Sequence, residues 1–172
     1  MPDIQLPFEL RRVQAGSEVA RVRSLFQEYQ HGLGVDLEFQ GFSAELGDLP
    51  GAYAPPRGRL YLAMMTREAA GCVGLRPLSD AQCEIKRLYV RPTFRRRGIG
   101  RLLARRVIGD ARALGYTKIV LDTLANMTEA HALYAELGFT ETAPYTPNPF
   151  DGARFLGLDL ATEPQARRPA DA

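Results

Sequence analysis

Arg95-Arg96-Arg97-Gly98-Ile99-Gly100 lies between residues 82–90 (QCEIKRLYV), a strand-like stretch, and an amphipathic stretch of helical period. Gly98 and Gly100 lack Cβ atoms, so the backbone can turn sharply and a ligand can approach its N–H groups. The helix that follows opens with unpaired N–H donors and the positive end of its dipole, and both favour an anion. With three arginines directly in front, the hexapeptide reads as a phosphate cradle suited to the pyrophosphate of a nucleotide-like cofactor. A G-x-G alone is a weak signal, and a short arginine run is usually a solvated loop. The flanking chain has to supply the context.

Working outward, a helix is expected over 98–114, with Ile99, Leu102, Leu103, Val107, Ile108 and Ala111 on one face and Gly115 as its stop. Residues 118–124 (KIVLDTL) form an apolar, buried strand. A second helix starts at Thr128, turns Ala130, Leu133, Tyr134 and Leu137 inward, and ends at Gly138. Upstream, 59–66 and 70–76 make an antiparallel hairpin turning near Arg67 and Glu68, and Pro92 stops the strand over 82–90. Towards the N-terminus, 8–13 reads as a first strand. Ser17 caps a helix through Val19, Val22, Leu25, Phe26 and Tyr29, ended by Gly32 and Gly34. Residues 36–47 suggest a shorter helix weakened by Gly41, and 49–58 a Pro/Gly loop. Two final strands, 139–145 and 153–160, flank a Pro-Asn-Pro loop, and 162–172 reads as a disordered tail. A strand–helix–strand centre demands a parallel pair joined by a crossover. The expected fold is therefore α/β, with a mixed sheet of about seven strands and helices on both faces.

At 172 residues the chain suggests one domain, over residues 1–161, with 45% hydrophobic and 24% charged residues as in ordinary globular proteins. No apolar run is long enough to span a membrane, and Met1-Pro2-Asp3 does not open a signal peptide, so a cytoplasmic location is expected. A net charge of +2 argues against a nucleic-acid binder, although eight arginines fall between Arg87 and Arg106. No membrane partner is expected, and the chain is read as a monomer or homodimer. Cys72 and Cys83 read as reduced, buried, structural thiols. His31 and His131 are isolated, no metal-ligand spacing occurs, and no metal is expected. A P-loop would need Gly-Lys-Ser/Thr, and a dinucleotide fingerprint a third glycine where Leu103 stands.

In this order of elements, the chain resembles the GCN5-related N-acetyltransferase (GNAT) superfamily. The hexapeptide matches its acyl-CoA signature, Q/R-x-x-G-x-G/A, at Arg95, Gly98 and Gly100, and AHALYAELGF at 130–139 resembles its second motif. The resemblance covers roughly residues 8–160. It implies a mostly antiparallel central sheet, in which the strand over 82–90 is bulged and splays from its parallel neighbour. Backbone groups of Leu88, Tyr89 and Val90 would then bind the pantetheine arm of acetyl-CoA, the co-substrate. N–H groups between Arg96 and Arg101, Arg97 and Ile99 included, would wrap its pyrophosphate. Many members place an asparagine seven residues before the motif tyrosine; here Met127 stands there and Asn126 precedes it.

The resemblance also implies the chemistry, acetyl transfer to an amine by direct attack in a ternary complex. Glu84, fourteen residues before Gly98, matches the catalytic glutamate of histone-acetylating members and would be the general base, directly or through water. An ion pair with Lys86 or Arg87 is its alternative role. Tyr134 would be the general acid, since a phenol with an ordinary pKa near 10 stays protonated at pH 7. The Leu88 N–H would support the oxyanion. Tyr29, Phe39, Phe42, Tyr145 and Asn148 are acceptor-wall candidates by position. Arg76 and Arg87 either hold an acceptor carboxylate or are surface charges. A small-molecule amine or an amino-acid-like acceptor is expected first. The alternatives are a protein lysine or N-terminus, or a non-catalytic acyl-CoA sensor.

Overall fold

A computed structural model describes residues 8–161 of the chain; the expected tail at 162–172 lies outside them. In chain order the elements are β1 (Glu9–Arg12), α1 (Ser17–Leu33), α2 (Phe42–Asp48), β2 (Arg59–Met65), β3 (Glu68–Pro77) and β4 (Gln82–Val90). Then follow α3 (Ile99–Ala113), β5 (Lys118–Thr123), α4 (Thr128–Glu136), β6 (Thr140–Glu141) and β7 (Arg154–Asp159). The strands form one seven-stranded sheet in the order β1-β2-β3-β4-β5-β7-β6, antiparallel throughout except for β4 beside β5.

Apolar residues on both faces of the sheet build two cores. On one face Ile99, Leu103, Val107 and Ala111 of α3 pack on Val73, Ile85, Ile119 and Leu121, with Tyr134 of α4 alongside. On the other, Val19, Val22, Leu25 and Phe26 of α1 pack with Phe42 and Tyr53 over Leu60, Leu62 and Cys72. Cys72 and Cys83 are both free and buried. Among the described residues, no helix is long and apolar enough to cross a membrane.

Several local expectations change. Gly16, not Ser17, occupies the N-cap of α1, and no side chain caps the helix. The helix expected over 36–47 splits into a 3-10 turn, Glu38–Gln40, and α2, because Gly41 between them takes the left-handed φ of 71°. The strand expected over 139–145 is only two residues long, and it lies at the edge of the sheet, paired with β7.

One irregularity positions the site. Cys72 of β3 pairs with Tyr89 and Gly74 with Lys86, so Val73 alone faces both Arg87 and Leu88. Arg87 takes φ 59° at this bulge. Bulges bend a strand and increase its twist. Accordingly β4 pairs with β5 only at Gln82, Cys83 and Glu84, and from Ile85 onward the two parallel strands diverge. The divergence leaves one backbone edge of β4 without a strand partner, and buried edges need hydrogen-bonding groups to face them.

Candidate active site

The split between β4 and β5 opens into a cleft of about 680 Å³, closed by the N-terminal ends of α3 and α4. Leu88, Tyr89 and Val90 supply one wall; Arg95, Arg96, Gly98, Ile99, Gly100 and Arg101 supply the end, and Asn126 the opposite rim. Arg97 is the one member of the expected set that does not line it. Its guanidinium lies 5.9 Å from the Phe94 ring centroid and 3.4 Å from Met65 Sδ.

The cradle is made by backbone. Gly98 caps α3 with φ 80°, and the first hydrogen bond of the helix runs from the Leu102 N–H to the Gly98 carbonyl, 3.1 Å. The N–H groups of Ile99, Gly100 and Arg101 therefore have no partner within the helix and stand at the cleft with the positive dipole end. A Cβ on Gly100 would meet the side chains of Val90 and Leu133, both cleft-lining, at 3.7 and 3.8 Å, ordinary contact distances. This geometry, with three arginines on the lining, fits the pyrophosphate of a coenzyme.

A smaller chamber of about 40 Å³ adjoins the cleft, and Tyr29, Leu33, Leu88, Met127 and Ala130 line both. Tyr134 stands in its wall, 5% exposed, with its ring edge-on to Phe139. Burial pushes its phenol well above the ordinary value, so the hydroxyl keeps its proton throughout the physiological range. It makes no side-chain hydrogen bond to a described residue and is free to donate into the chamber. Burial likewise pushes Tyr29 up to about 12.

Glu84 is fully buried and lines neither space. Its Oε1 accepts from Arg76 Nε at 2.7 Å, and its Oε2 accepts from the Tyr145 hydroxyl and lies 3.8 Å from Lys86 Nζ. Both oxygens thus accept a hydrogen bond, and the ion pair is made with Arg76 and, more distantly, Lys86, not with Arg87. Arg76 and Tyr145 close around Glu84 and line neither space. Of the expected acceptor residues, Tyr29, Phe39 and Asn148 line the inner chamber, as does Arg87. Phe42, the first residue of α2, is buried in the core against α1.

Three further residues shape this chamber. Lys86, 5% exposed, donates to Gln40 Oε1 at 3.0 Å and lies 3.7 Å from Asp122 Oδ1. Burial lowers its pKa, and the carboxylates of Glu84 and Asp122 oppose that shift. Asp122 Oδ2 accepts from Asn148 Nδ2 at 3.1 Å and Gln40 Nε2 at 3.4 Å. Arg87 forks onto Glu45 at 3.0 and 3.1 Å and also donates to Gln40 Oε1 at 2.9 Å. Sequence reasoning gave none of Lys86, Asp122 and Gln40 a place at the acceptor site. Asp122 did carry a signal, an acid within the apolar KIVLDTL run; Gln40 carried none.

A sheet split beside its one parallel pair, with a glycine-opened helix N-terminus at the split, defines the class of site. The acetyltransferase (GNAT) family model matches residues 21–139. An uncharacterised N-acetyltransferase of Schizosaccharomyces pombe is 38% identical over 141 residues, 81% of this chain and 86% of the yeast protein. The chain belongs to the GNAT acetyltransferase family. Among solved structures, a Streptococcus agalactiae acetyltransferase matches with TM-score 0.77 at 21% identity, covering 89% of this chain and 98% of that one. An Elizabethkingia anophelis GNAT-family acetyltransferase with acetyl-CoA bound matches with TM-score 0.65 at 24% identity, covering 89% and 98%. These two share its fold.

Proposed function

We propose that this chain transfers the acetyl group of acetyl-CoA to the primary amine of a small molecule, by direct attack in a ternary complex. The observation that carries this reading is the continuity of the two spaces. The cleft that holds the cradle runs along the unpaired edge of β4 and shares Tyr29, Leu33, Leu88, Met127 and Ala130 with the chamber that Tyr134 lines. Support for the co-substrate comes also from the Elizabethkingia structure, which holds acetyl-CoA on the same fold.

The residues divide the work. The N–H groups of Ile99, Gly100 and Arg101 hold the pyrophosphate, and backbone groups of Leu88, Tyr89 and Val90 align the pantetheine arm. The Leu88 N–H beside the bulge supports the oxyanion as the amine nitrogen bonds to the thioester carbon. The C–S bond then breaks and Tyr134 protonates the departing thiolate. Overall an ammonium and a thioester give an amide and a thiol; one proton ends on the sulfur and one leaves to solvent. Glu84 positions Arg76, Tyr145 and Lys86 rather than taking a proton. A chamber of about 40 Å³ favours a compact acceptor over a folded protein surface.

Free-thiol release from acetyl-CoA across a panel of amines tests the proposal. Tyr134→Phe should lower kcat about 100-fold while leaving the acetyl-CoA Kd unchanged. Tight acetyl-CoA binding with no thiol release on any amine class would falsify the enzymatic reading.

A further inference from the structure

Three cations and three carboxylates meet around the inner chamber. Arg76 pairs with Glu84 at 2.7 Å, Arg87 with Glu45 at 3.0 Å, and Lys86 lies 3.8 Å from Glu84 and 3.7 Å from Asp122. The set is neutral, and Asp122 is the only one of the three carboxylates that lines the chamber. Its side chain is 7% exposed. Its hydrogen-bond donors are two uncharged amides, Gln40 and Asn148, both on Oδ2. Oδ1 accepts no hydrogen bond from a described residue, and Lys86 Nζ stands beyond hydrogen-bonding distance. A buried carboxylate with spare acceptor capacity on one oxygen thus lines the space where an acceptor must arrive.

The remaining lining is mostly apolar and includes Phe39, whose ring stands edge-on to Phe150 with centroids 5.4 Å apart. The same two segments are bridged a second time through Asp122, with Gln40 donating from one and Asn148 from the other. We propose that Asp122 receives the ammonium of the acceptor, and that the chamber selects a primary monoamine with an uncharged, apolar body. This rests on the acetyl-transfer reading above. An ammonium adds a charge-assisted bond at the open Oδ1 while the two amides keep Oδ2, and the body lies against Phe39 and the apolar lining. An acceptor carboxylate would compete for cations that already have counter-charges: Arg87 forks onto Glu45, Arg76 donates to Glu84, and Lys86, which lines the chamber, stands between Glu84 at 3.8 Å and Asp122 at 3.7 Å. A second ammonium finds no second open carboxylate. Either would bring a further charge beyond the one ammonium that the open oxygen of Asp122 can accept, and buried charges are tolerated only where they are paired.

The test pairs acceptors of matched skeleton with the full-length wild-type chain and acetyl-CoA. One set compares phenethylamine with phenylalanine, another pentylamine with cadaverine, and a lysine-bearing tripeptide is included. Each monoamine should exceed its charged counterpart and the peptide by at least about 30-fold in kcat/KM, the scale of one unpaired buried charge. Asp122→Asn should raise the phenethylamine KM by about 30-fold while the acetyl-CoA Kd holds. A merely structural role would move both together. Calorimetric binding of phenethylamine and phenylalanine to the CoA-loaded wild type gives a readout that needs neither turnover nor a folded variant. Preferential phenethylamine binding without turnover would overturn the acetyl-transfer reading and keep Asp122 as the amine site. Phenylalanine, cadaverine or the peptide performing as well as the monoamines would overturn the inference, as would an unchanged KM in Asp122→Asn.

Discussion

Gly98 takes φ 80° at the start of α3, and a Cβ placed there would find no protein atom within 4 Å. The demand for glycine is therefore conformational, not steric: a left-handed L-residue costs about 1–2 kcal/mol, and a β-branched one is strained further. Valine at this position should turn the N–H groups of the cradle away from the phosphate. Arg96 is exposed, and its removal deletes only a screened attraction. Gly98→Val should weaken acetyl-CoA binding by about tenfold or more, whereas Arg96→Ala should cost only a few-fold and less as salt rises. Equal losses in calorimetric titrations at low salt would show that side-chain charge, not backbone, makes the cradle. The glycine's role was legible in the sequence because it depends on one residue's own φ. The surroundings of Glu84 were not, since its partners Arg76 and Tyr145 stand 8 and 61 residues away.

At the scale of elements, the bulge in β4 has a buttress in α2. Arg87 holds its left-handed conformation with its guanidinium 5.0 Å from the Phe42 ring centroid and forked onto Glu45, both residues of α2. Arg87 is 4% exposed, so removing Glu45 leaves a buried cation with only the Gln40 carbonyl. Glu45→Ala should cost about 3 kcal/mol in urea unfolding, and adding Arg87→Met should recover part of it. A loss below about 1 kcal/mol would mean that the pair does not brace the bulge. The extent of β4 itself was readable from its apolar run and Pro92. The bulge was expected only from family resemblance, because the pairing that creates it involves Val73 on the neighbouring strand.

Across the whole molecule, buried thiols and phenols set the response to alkali. Burial holds Cys83 up at about 12 against an ordinary value near 9, and pushes Cys72, Tyr53, Tyr134 and Tyr145 upward as well. In the unfolded chain these groups release their protons at ordinary values while the folded chain retains them. The unfolded state then binds fewer protons, and stability falls as pH rises above about 9. Lys86 acts in the opposite sense: its lowered value means that stability is gained as pH rises towards the ordinary 10.5. One lysine is outnumbered by five acids. Urea midpoints should fall steadily between about pH 9 and pH 10.5, and a flat profile over that range would refute the account.

The sequence by itself determined the order of elements, the two apolar faces that make a layered α/β sheet, and the glycine-opened helix N-terminus. Each of these follows from local periodicity or from the conformation of single residues. Only the tertiary structure decided where β6 and β7 sit beyond β5, because strand order is set by which edge remains unpaired. It also decided the standing of the charges. Glu84 is enclosed by Arg76, Tyr145 and Lys86, while Asp122 lines the chamber with Tyr134 and has no hydrogen-bond donor on Oδ1 among the described residues. Both are acids within apolar strands, and nothing local separates them. The difference comes from the bulge at Arg87 and the splay it produces, which buries the first carboxylate within the sheet and leaves the second at the opening.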